Sequence, residues 1–412
     1  LAQLLSPSVC TMAIKVQRSS RLAVAAVLAA IASLCLFSVC NLFFEVRKDA
    51  RIAAERVGRQ KHRRATPPTP LKEDDNKAPA LPEEPPSDDR EYVLKACRDH
   101  PVGLGNCPQL FVIGTQKGGT TTLARWIETV ERVGFGTSYT KNHYGQRKKE
   151  THFYTELPEE ARTNATELYA RTRGYIDGFG VKEKRGSVAV EGTPSYMALT
   201  YVPELLVRSG VGNRQSRFLI ILRDPVDRFV SGVNMVTGLR GKGESIDALK
   251  FHPEGKKENI EEFGMRMQEE IAKCRSSAAD HERHKACTTH LNRKDHGDAI
   301  DQLYRGVYVD QLRWWLNFFE PDQFCILASS RFATEPLKAL SQHASRCLND
   351  VGIKISDLPR EVENSNVARK KYSFEDSYPN LRAKLNKNLF DATNRELKDL
   401  LREKWGIENF AI

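Results

Sequence analysis

A turn that carries two glycines, a lysine and a run of threonines into the start of a helix can bind an anion. The stretch FVIGTQKGGTTTLARWI at residues 111–127 has that composition. Gly114 and Gly119 have the spacing of the phosphate loop of nucleoside-triphosphate enzymes, G-x-x-x-x-G-K-[ST]. Such a loop aims backbone N–H groups and a helix N-terminus at phosphate oxygens. The lysine that should follow Gly119 and span the β- and γ-phosphates is replaced by Thr120. The loop's one lysine, Lys117, lies inside the turn. A cation there is nearer a single bridging oxygen, which suits a shorter 5′ group than a triphosphate. A glycine-rich connector with no ligand is the plain alternative.

A second strand-turn-helix pattern follows at residues 217–235, RFLIILRDPVDRFVSGVNM. Arg223 closes the apolar run and Pro225 takes the first turn of the expected helix. Arg228 and Ser231 fall three residues apart on one side of that helix. A guanidinium fork with a serine hydroxyl is a receptor for a phosphate dianion. Alone, Arg-Asp-Pro at a helix start is as readily a cap and a salt bridge; beside the first loop it reads as a second phosphate site. A ligand with a 5′ group lacking a γ-phosphate and a separate 3′-phosphate is 3′-phosphoadenosine-5′-phosphosulfate.

These residues need elements to place them. Apolar runs at 110–113, 187–190, 218–222 and 324–328 read as buried strands, and residues 121–132, 226–239, 308–319 and 335–348 as helices. Their alternation predicts an α/β fold, a three-layer sandwich around a mainly parallel sheet. Both motifs fall at C-terminal strand ends, where such folds hold ligands. Residues 241–300 are polar and read as an excursion over the ligand-binding face; within them 256–277 is helical in pattern and 281–296 is not. The cluster Cys274, His281, His284, Cys287 and His290 invites a zinc reading. Its spacing matches no common finger and a disulfide suits the two cysteines, so no metal is expected.

The chain has 412 residues, more than one typical domain, and its 40% hydrophobic and 28% charged residues are ordinary for a globular protein. A net charge of +10 points to an anionic partner: a polyanion, a nucleotide or a membrane surface. Residues 22–44, LAVAAVLAAIASLCLFSVCNLFF, carry no charge. At ~1.5 Å per residue they can cross a bilayer, and they read as a retained anchor behind a short cytosolic tail at 1–21, with Met12 a candidate start. Between Glu45 and Arg64 there are eight Lys/Arg against three Asp/Glu, so the flanking charge does not set the orientation. Residues 45–98 hold TPPTPLKEDDNKAPALPEEPPSDD and read as a disordered Pro-rich stalk, leaving 99–412 as the globular domain.

Beyond the apolar segment stand Cys97, Cys107, Cys274, Cys287, Cys325 and Cys347. An even number fits three disulfides in an oxidising lumen, with Cys97–Cys107 and Cys274–Cys287 as local pairs; free buried thiols in a cytosolic enzyme are the alternative. Asn164-Ala165-Thr166 is an N-glycosylation triplet.

The motifs also carry a resemblance. GTQKGGTTTL resembles the 5′-phosphosulfate loop of sulfotransferases, and LRDPVDRFVSGV resembles their 3′-phosphate motif. KETHFYTE and VEGTPSYM between them, and RGVYVDQLRWWLNFFEPDQFCILASSRF after them, are similar to Golgi-type carbohydrate sulfotransferases, closest to the heparan sulfate 3-O- and N-sulfotransferase branch. The resemblance covers roughly residues 110–405 and implies a P-loop-like sulfotransferase fold. It further implies a type II, single-pass Golgi membrane protein that moves a sulfuryl group from 3′-phosphoadenosine-5′-phosphosulfate to a glycan hydroxyl or amine. By the same resemblance Lys117 stabilises the leaving phosphate, and Gly118, Gly119, Thr120 and Thr121 cradle the 5′ group. Arg223 and Ser231 hold the 3′-phosphate, Glu150 is the catalytic base with His152 beside it, and Arg369 and Lys370 in ARKKY close over the donor. An acidic polysaccharide is the expected partner, besides the membrane; nucleic acid is not. Gly192 stands where heparan-type members have lysine, and Thr121 and Thr155 where 3-O members have arginine and aspartate, which counts against heparan sulfate itself. A kinase-like phosphate-loop enzyme and a non-catalytic glycan-binding protein of the same fold are the alternatives.

Overall fold

The computed structural model describes residues 88–98, 107–136, 149–179, 188–236, 260–291, 301–360 and 379–412. These belong to one compact unit, Glu84–Ile412. The expected anchor at 22–44, most of the expected stalk, and Arg369 and Lys370 lie outside the described residues. Among the described residues no helix is long and apolar enough to cross a membrane.

Five strands form the sheet: β1 Leu110–Gly114, β2 Val133–Phe135, β3 Val188–Glu191, β4 Arg217–Leu222 and β5 Phe324–Ala328. Their order is β2-β3-β1-β4-β5, and every pairing is parallel. In β1, β3 and β5 every residue is buried, and in β4 all but Arg217. Near-continuous burial is what a parallel sheet covered on both faces requires. Alternate side chains feed two cores. Phe111, Phe218, Ile220 and Phe324 point to one face, where the ring of Phe218 lies 5.3 Å from that of Trp315 and 4.5 Å from that of Phe319. Leu110, Val112, Leu219 and Leu327 point to the other. The helices that cover the two faces complete the three-layer sandwich.

The helices that bear on function are α1 Asp88–Arg98, α2 Thr120–Glu128, α3 Ala165–Asp177, α4 Tyr201–Arg208, α5 Pro225–Val236, α6 Ile260–Ser276, α7 Arg283–Leu291, α8 Tyr308–Trp315, α9 Pro336–His343, α10 Ser345–Asp350 and α11 Asp391–Trp405. α2, α9 and α10 cover the Leu219 face through Trp126, Ile127, Leu340 and Leu348. α8 covers the other face.

Four expectations need correction, and one strand gave no signal in the sequence. The globular domain includes residues before 99: α1 buries Val93 and Cys97 in the main core and is joined to the approach to β1 by the Cys97–Cys107 disulfide. The three-residue strand β2 was not foreseen, because its half-buried residues give no apolar run. The helix expected over 335–348 breaks at Ala344, whose φ of −127° leaves the helical region; Cys347 beyond the break is bonded to Cys325 of β5. Residues 283–291, read as non-helical, form α7, stapled to α6 by Cys274–Cys287. α6 is not an excursion over a ligand face, since Phe263, Met267 and Ile271 are fully buried and the Phe263 ring lies 6.1 Å from that of Phe229.

The cysteine–histidine cluster is thereby dispersed. Both cysteines are in the disulfide, and the His290 Nε2 lies 2.7 Å from Glu270 Oε2. The His284 ring is fully buried at 5.7 Å from Tyr304, and burial pushes it down to about 3, with the Ala198 backbone opposing.

Candidate active site

The sheet order changes direction around β1, with β3 on one side and β4 on the other, and the C-terminal ends of these strands open a crevice. The chain leaving β1 is pinned first to β4: the Thr115 N–H and Oγ1 both donate to the Ile221 carbonyl at 2.9 Å. Residues 116–119 turn, and α2 begins at Thr120. Lys117 takes a left-handed φ of 71° and Gly119 a φ of 113°. A Cβ on Gly118 would stand 2.6 Å from the Ile221 carbonyl oxygen, so Gly118 lets the loop lie against β4. The result is a tight loop that points the helix N-terminus, with its intrinsically unsatisfied N–H groups, into the crevice.

A cleft of about 900 Å³ fills this crevice. Lys117, Gly118, Gly119, Thr120 and Thr121 form one wall. Glu150 comes from the segment alongside, and Arg223 and Ser231 from the end of β4 and from α5. The structure thus gathers in one cleft the described residues of the expected 5′ loop, Arg223 and Ser231 of the expected 3′-phosphate site, and Glu150, the expected base. Arg223 lies 3.7 Å from Asp227, while Arg382 pairs with Asp224 and Asp227 and offsets the acidic charge beside the arginine. The Tyr308 hydroxyl donates to the Arg223 carbonyl at 2.8 Å and fixes the backbone at this strand end.

Arg228 departs from the sequence reading. It shares a helix side with Ser231 by spacing, yet it is fully buried and donates to the Gln302 carbonyl instead of lining the cleft. Burial lowers its guanidinium to about 10, the nearby Tyr308 opposing.

Glu150 is 9% exposed, with Oε1 2.9 Å from Lys149 Nζ and Oε2 3.2 Å from His152 Nε2. Burial works to raise this carboxyl, but the hydrogen bond from His152 and the charge of Lys149 outweigh it and lower it to about 2. His152 holds a left-handed φ of 55°. Its N–H donates to Thr193 Oγ1 at 3.1 Å, and its carbonyl accepts from Thr155 Oγ1 at 2.8 Å.

Beneath this pair lies Glu191, fully buried at the end of β3. It accepts from Tyr175 Oη at 3.0 Å, from the Thr193 N–H at 2.9 Å, from Thr193 Oγ1 at 2.6 Å and from Thr151 Oγ1. Burial pushes its carboxyl up, and the Thr151, Thr193 and Tyr175 donors oppose that. A loop with a displaced cation, a base with a histidine partner, and an arginine–serine pair across the same cleft are the parts of a group-transfer site for an anionic donor.

Residues 107–347, more than half of the chain, match the sulfotransferase domain family. The chain belongs to the sulfotransferase family. Heparan sulfate glucosamine 3-O-sulfotransferase 5 of Mus musculus is 24% identical to it over 233 residues, 57% of this chain and 51% of that protein. Heparan sulfate glucosamine 3-O-sulfotransferase 3B1 of Homo sapiens is 26% identical over 152 residues, 36% of this chain and 32% of that protein. The chain spans about half the length, or less, of these curated relatives. Among solved structures, a sulfotransferase from Alicyclobacillus acidocaldarius aligns with a TM-score of 0.43 at 18% identity, over 72% of this chain and 96% of that one.

Lys149 and Ser329, which line the cleft, and Glu191, buried beneath it, are among the residues that the sequence reading does not pick out. Lys149 sits in the charge run RKKE, where a lysine looks like a solvated surface charge. Glu191 lies inside the quoted VEGTPSYM, but an acidic residue at the end of an apolar run gives no sign that it will be buried. Ser329 follows β5, and strand order is what brings it to the cleft.

Proposed function

We propose that this chain moves a sulfuryl group from 3′-phosphoadenosine-5′-phosphosulfate to a hydroxyl, or an amine, of an acidic glycan of the glycosaminoglycan class. The observation that carries this reading is the one cleft that joins the Lys117 loop, Glu150 and the Arg223–Ser231 pair. The family match supports the donor, and the relatives' names, heparan sulfate glucosamine 3-O-sulfotransferases, support the acceptor class. Thr120 in place of the phosphate-loop lysine argues against a kinase.

The residues present fit this donor. Gly119 holds a φ of 113° that side-chain-bearing residues rarely adopt, and with it the loop turns the start of α2 toward the cleft, where a 5′ group would lie. When bound, the donor supplies an electrophilic sulfur and a nucleotide leaving group. Lys117 and the N-terminus of α2 balance the charge that grows on the leaving phosphate oxygen. Arg223 and Ser231 grip the 3′-phosphate and set the nucleotide's register. Glu150 accepts the proton of the acceptor hydroxyl, and His152 fixes the carboxylate's orientation. Such catalysis is largely positioning and charge stabilisation, as in phosphoryl transfer.

The same reading places the catalytic domain in the Golgi lumen behind a type II anchor at 22–44. The disulfides Cys97–Cys107, Cys274–Cys287 and Cys325–Cys347 support an oxidising compartment.

Incubation with ³⁵S-labelled donor and a glycan array tests the activity. Transfer by the wild type that is lost in Lys117→Ala and in Glu150→Ala is the expected result; equal transfer by both variants would overturn the assignment. Preferential thermal stabilisation by ATP with Mg²⁺ over 3′-phosphoadenosine-5′-phosphate would overturn the donor.

A further inference from the structure

Lys149 belongs to neither phosphate motif, yet it stands in the cleft beside Glu150. Its ammonium is 2.9 Å from Glu150 Oε1, and its side chain is 15% exposed. The other carboxylate oxygen faces His152 Nε2 at 3.2 Å. Both oxygens of the base are therefore engaged by cationic or hydrogen-bonding nitrogen. Residue 192, just past β3, adds no charge here: a Cβ on Gly192 would stand 2.7 Å from the Lys149 carbonyl oxygen, and the cation beside Glu150 comes from Lys149.

Other charges share the cleft or pack beneath it. Lys117, Arg125 and Glu128 line the cleft from the loop and α2, and Arg223 from the end of β4. Glu191 from β3 is committed to Thr151, Thr193 and Tyr175. A general base works best when its pKa is near the working pH, and a carboxylate held at about 2 is poorly matched to a sugar hydroxyl. Drawing a cation away from it raises its basicity.

We propose that Lys149 is a specificity-determining residue: an anionic group of the acceptor glycan, a sulfate or a carboxylate near the reacting hydroxyl, takes the Lys149 ammonium from Glu150 and thereby activates the base. The inference rests on the sulfuryl-transfer reading above. The ion pair changes partners without covalent change. The hydroxyl proton then passes to Glu150 as the new O–S bond forms. The bond from sulfur to the bridging phosphate oxygen breaks, and its electron pair stays on that oxygen. An acidic acceptor is thus selected in turnover as well as in binding.

The test compares wild type, Lys149→Met and Lys149→Arg on four acceptors: a heparan sulfate oligosaccharide, its carboxyl-reduced form, its desulfated form, and a neutral oligosaccharide. With wild type, kcat/KM should favour the acidic acceptors, and the two single-anion forms separate a carboxylate from a sulfate as the group sensed. Lys149→Met should lose about tenfold of that preference, with faster turnover of the neutral acceptor, and move the acidic limb of its pH profile upward. Lys149→Arg should keep the preference. If Lys149→Met melts like wild type yet slows all four acceptors equally with an unmoved pH profile, Lys149 is merely structural and the proposal fails. If wild type transfers to none of them, the acidic acceptor class on which the proposal rests is wrong and the proposal falls with it, while the glycan array separately decides sulfuryl transfer.

Discussion

Arg223 Nη1 donates to the Lys117 carbonyl at 3.3 Å, across 106 residues of sequence. The end of β4 and the loop after β1 are therefore one structure, and the arginine expected to hold a 3′-phosphate also braces the loop expected to hold the 5′ group. Removing it should act on both ends of the donor.

Arg223→Ala is accordingly expected to weaken binding of 3′-phosphoadenosine-5′-phosphate by about tenfold or more, since a hydrogen bond to a charged group contributes about 1.5–3 kcal/mol. Ser231→Ala, which loses one neutral donor, should cost less. Isothermal titration with the 3′-phosphorylated nucleotide and its 3′-dephosphorylated form separates the two. Loss of affinity that is equal for both nucleotides would mean that Arg223 serves only the loop.

The Glu150 pairing predicts a pH dependence. Its carboxyl is lowered to about 2 from an ordinary value of 4.5. A depressed acid adds stability above its unfolded value, and that contribution is lost as pH falls from about 4.5 toward 2. Glu150→Gln should remove this dependence from thermal melts between those limits, and should reduce kcat by about a hundredfold or more at neutral pH. His152→Ala should raise the acidic limb of kcat/KM, because the histidine hydrogen bond is the largest influence holding the carboxyl down. An unmoved limb would show that another group sets it.

The parts legible in the sequence are those with a redundant signal. β1, β4 and β5 are apolar along almost their whole length because both faces are covered, so their runs were readable from residue types alone. The two phosphate motifs were readable because turn, cation and helix start are local. What escaped depended on the tertiary fold. Arg228 and Ser231 share a helix side by spacing, but packing against Gln302 sends Arg228 inward. Lys149 looks like its neighbours in a charge run until the fold places it against Glu150. α1 follows a proline-rich stretch whose composition concealed the helix, although the Cys97–Cys107 bond that ties down its last turn was legible from the cysteine spacing.

Cys325–Cys347 closes a loop of 22 residues between β5 and α10, and both sulfurs lie in the core on the Leu219 face. The chain-entropy account assigns a cross-link of this length about 3 kcal/mol. Replacing both cysteines by alanine should lower the melting temperature by several degrees while leaving nucleotide affinity near that of wild type, because neither residue lines the cleft. Calorimetry beside nucleotide titration checks both halves, and an unchanged melt would show that the helices hold β5 without the bridge.

Glu191 supplies the last prediction. Thr193 Oγ1 donates to Glu191 at 2.6 Å and accepts from the His152 N–H at 3.1 Å, while Thr151, next to Glu150, donates to the other carboxylate oxygen. The buried carboxylate therefore holds the backbone between Glu150 and His152 through Thr151, and braces the left-handed His152 through Thr193. Glutamine is a poor substitute, because its amide nitrogen would face donors. Glu191→Gln should lower kcat by about ten- to a hundredfold through misplacement of Glu150 and His152, with donor affinity unchanged. A raised acid contributes stability that is lost as pH rises through its folded value, so the variant should also flatten the stability profile above the ordinary glutamate range. Steady-state kinetics with nucleotide titration decides the matter. A parallel fall in kcat and donor affinity would assign Glu191 to the fold alone, and recovery of kcat in Glu191→Asp would confirm that the carboxylate positions the base.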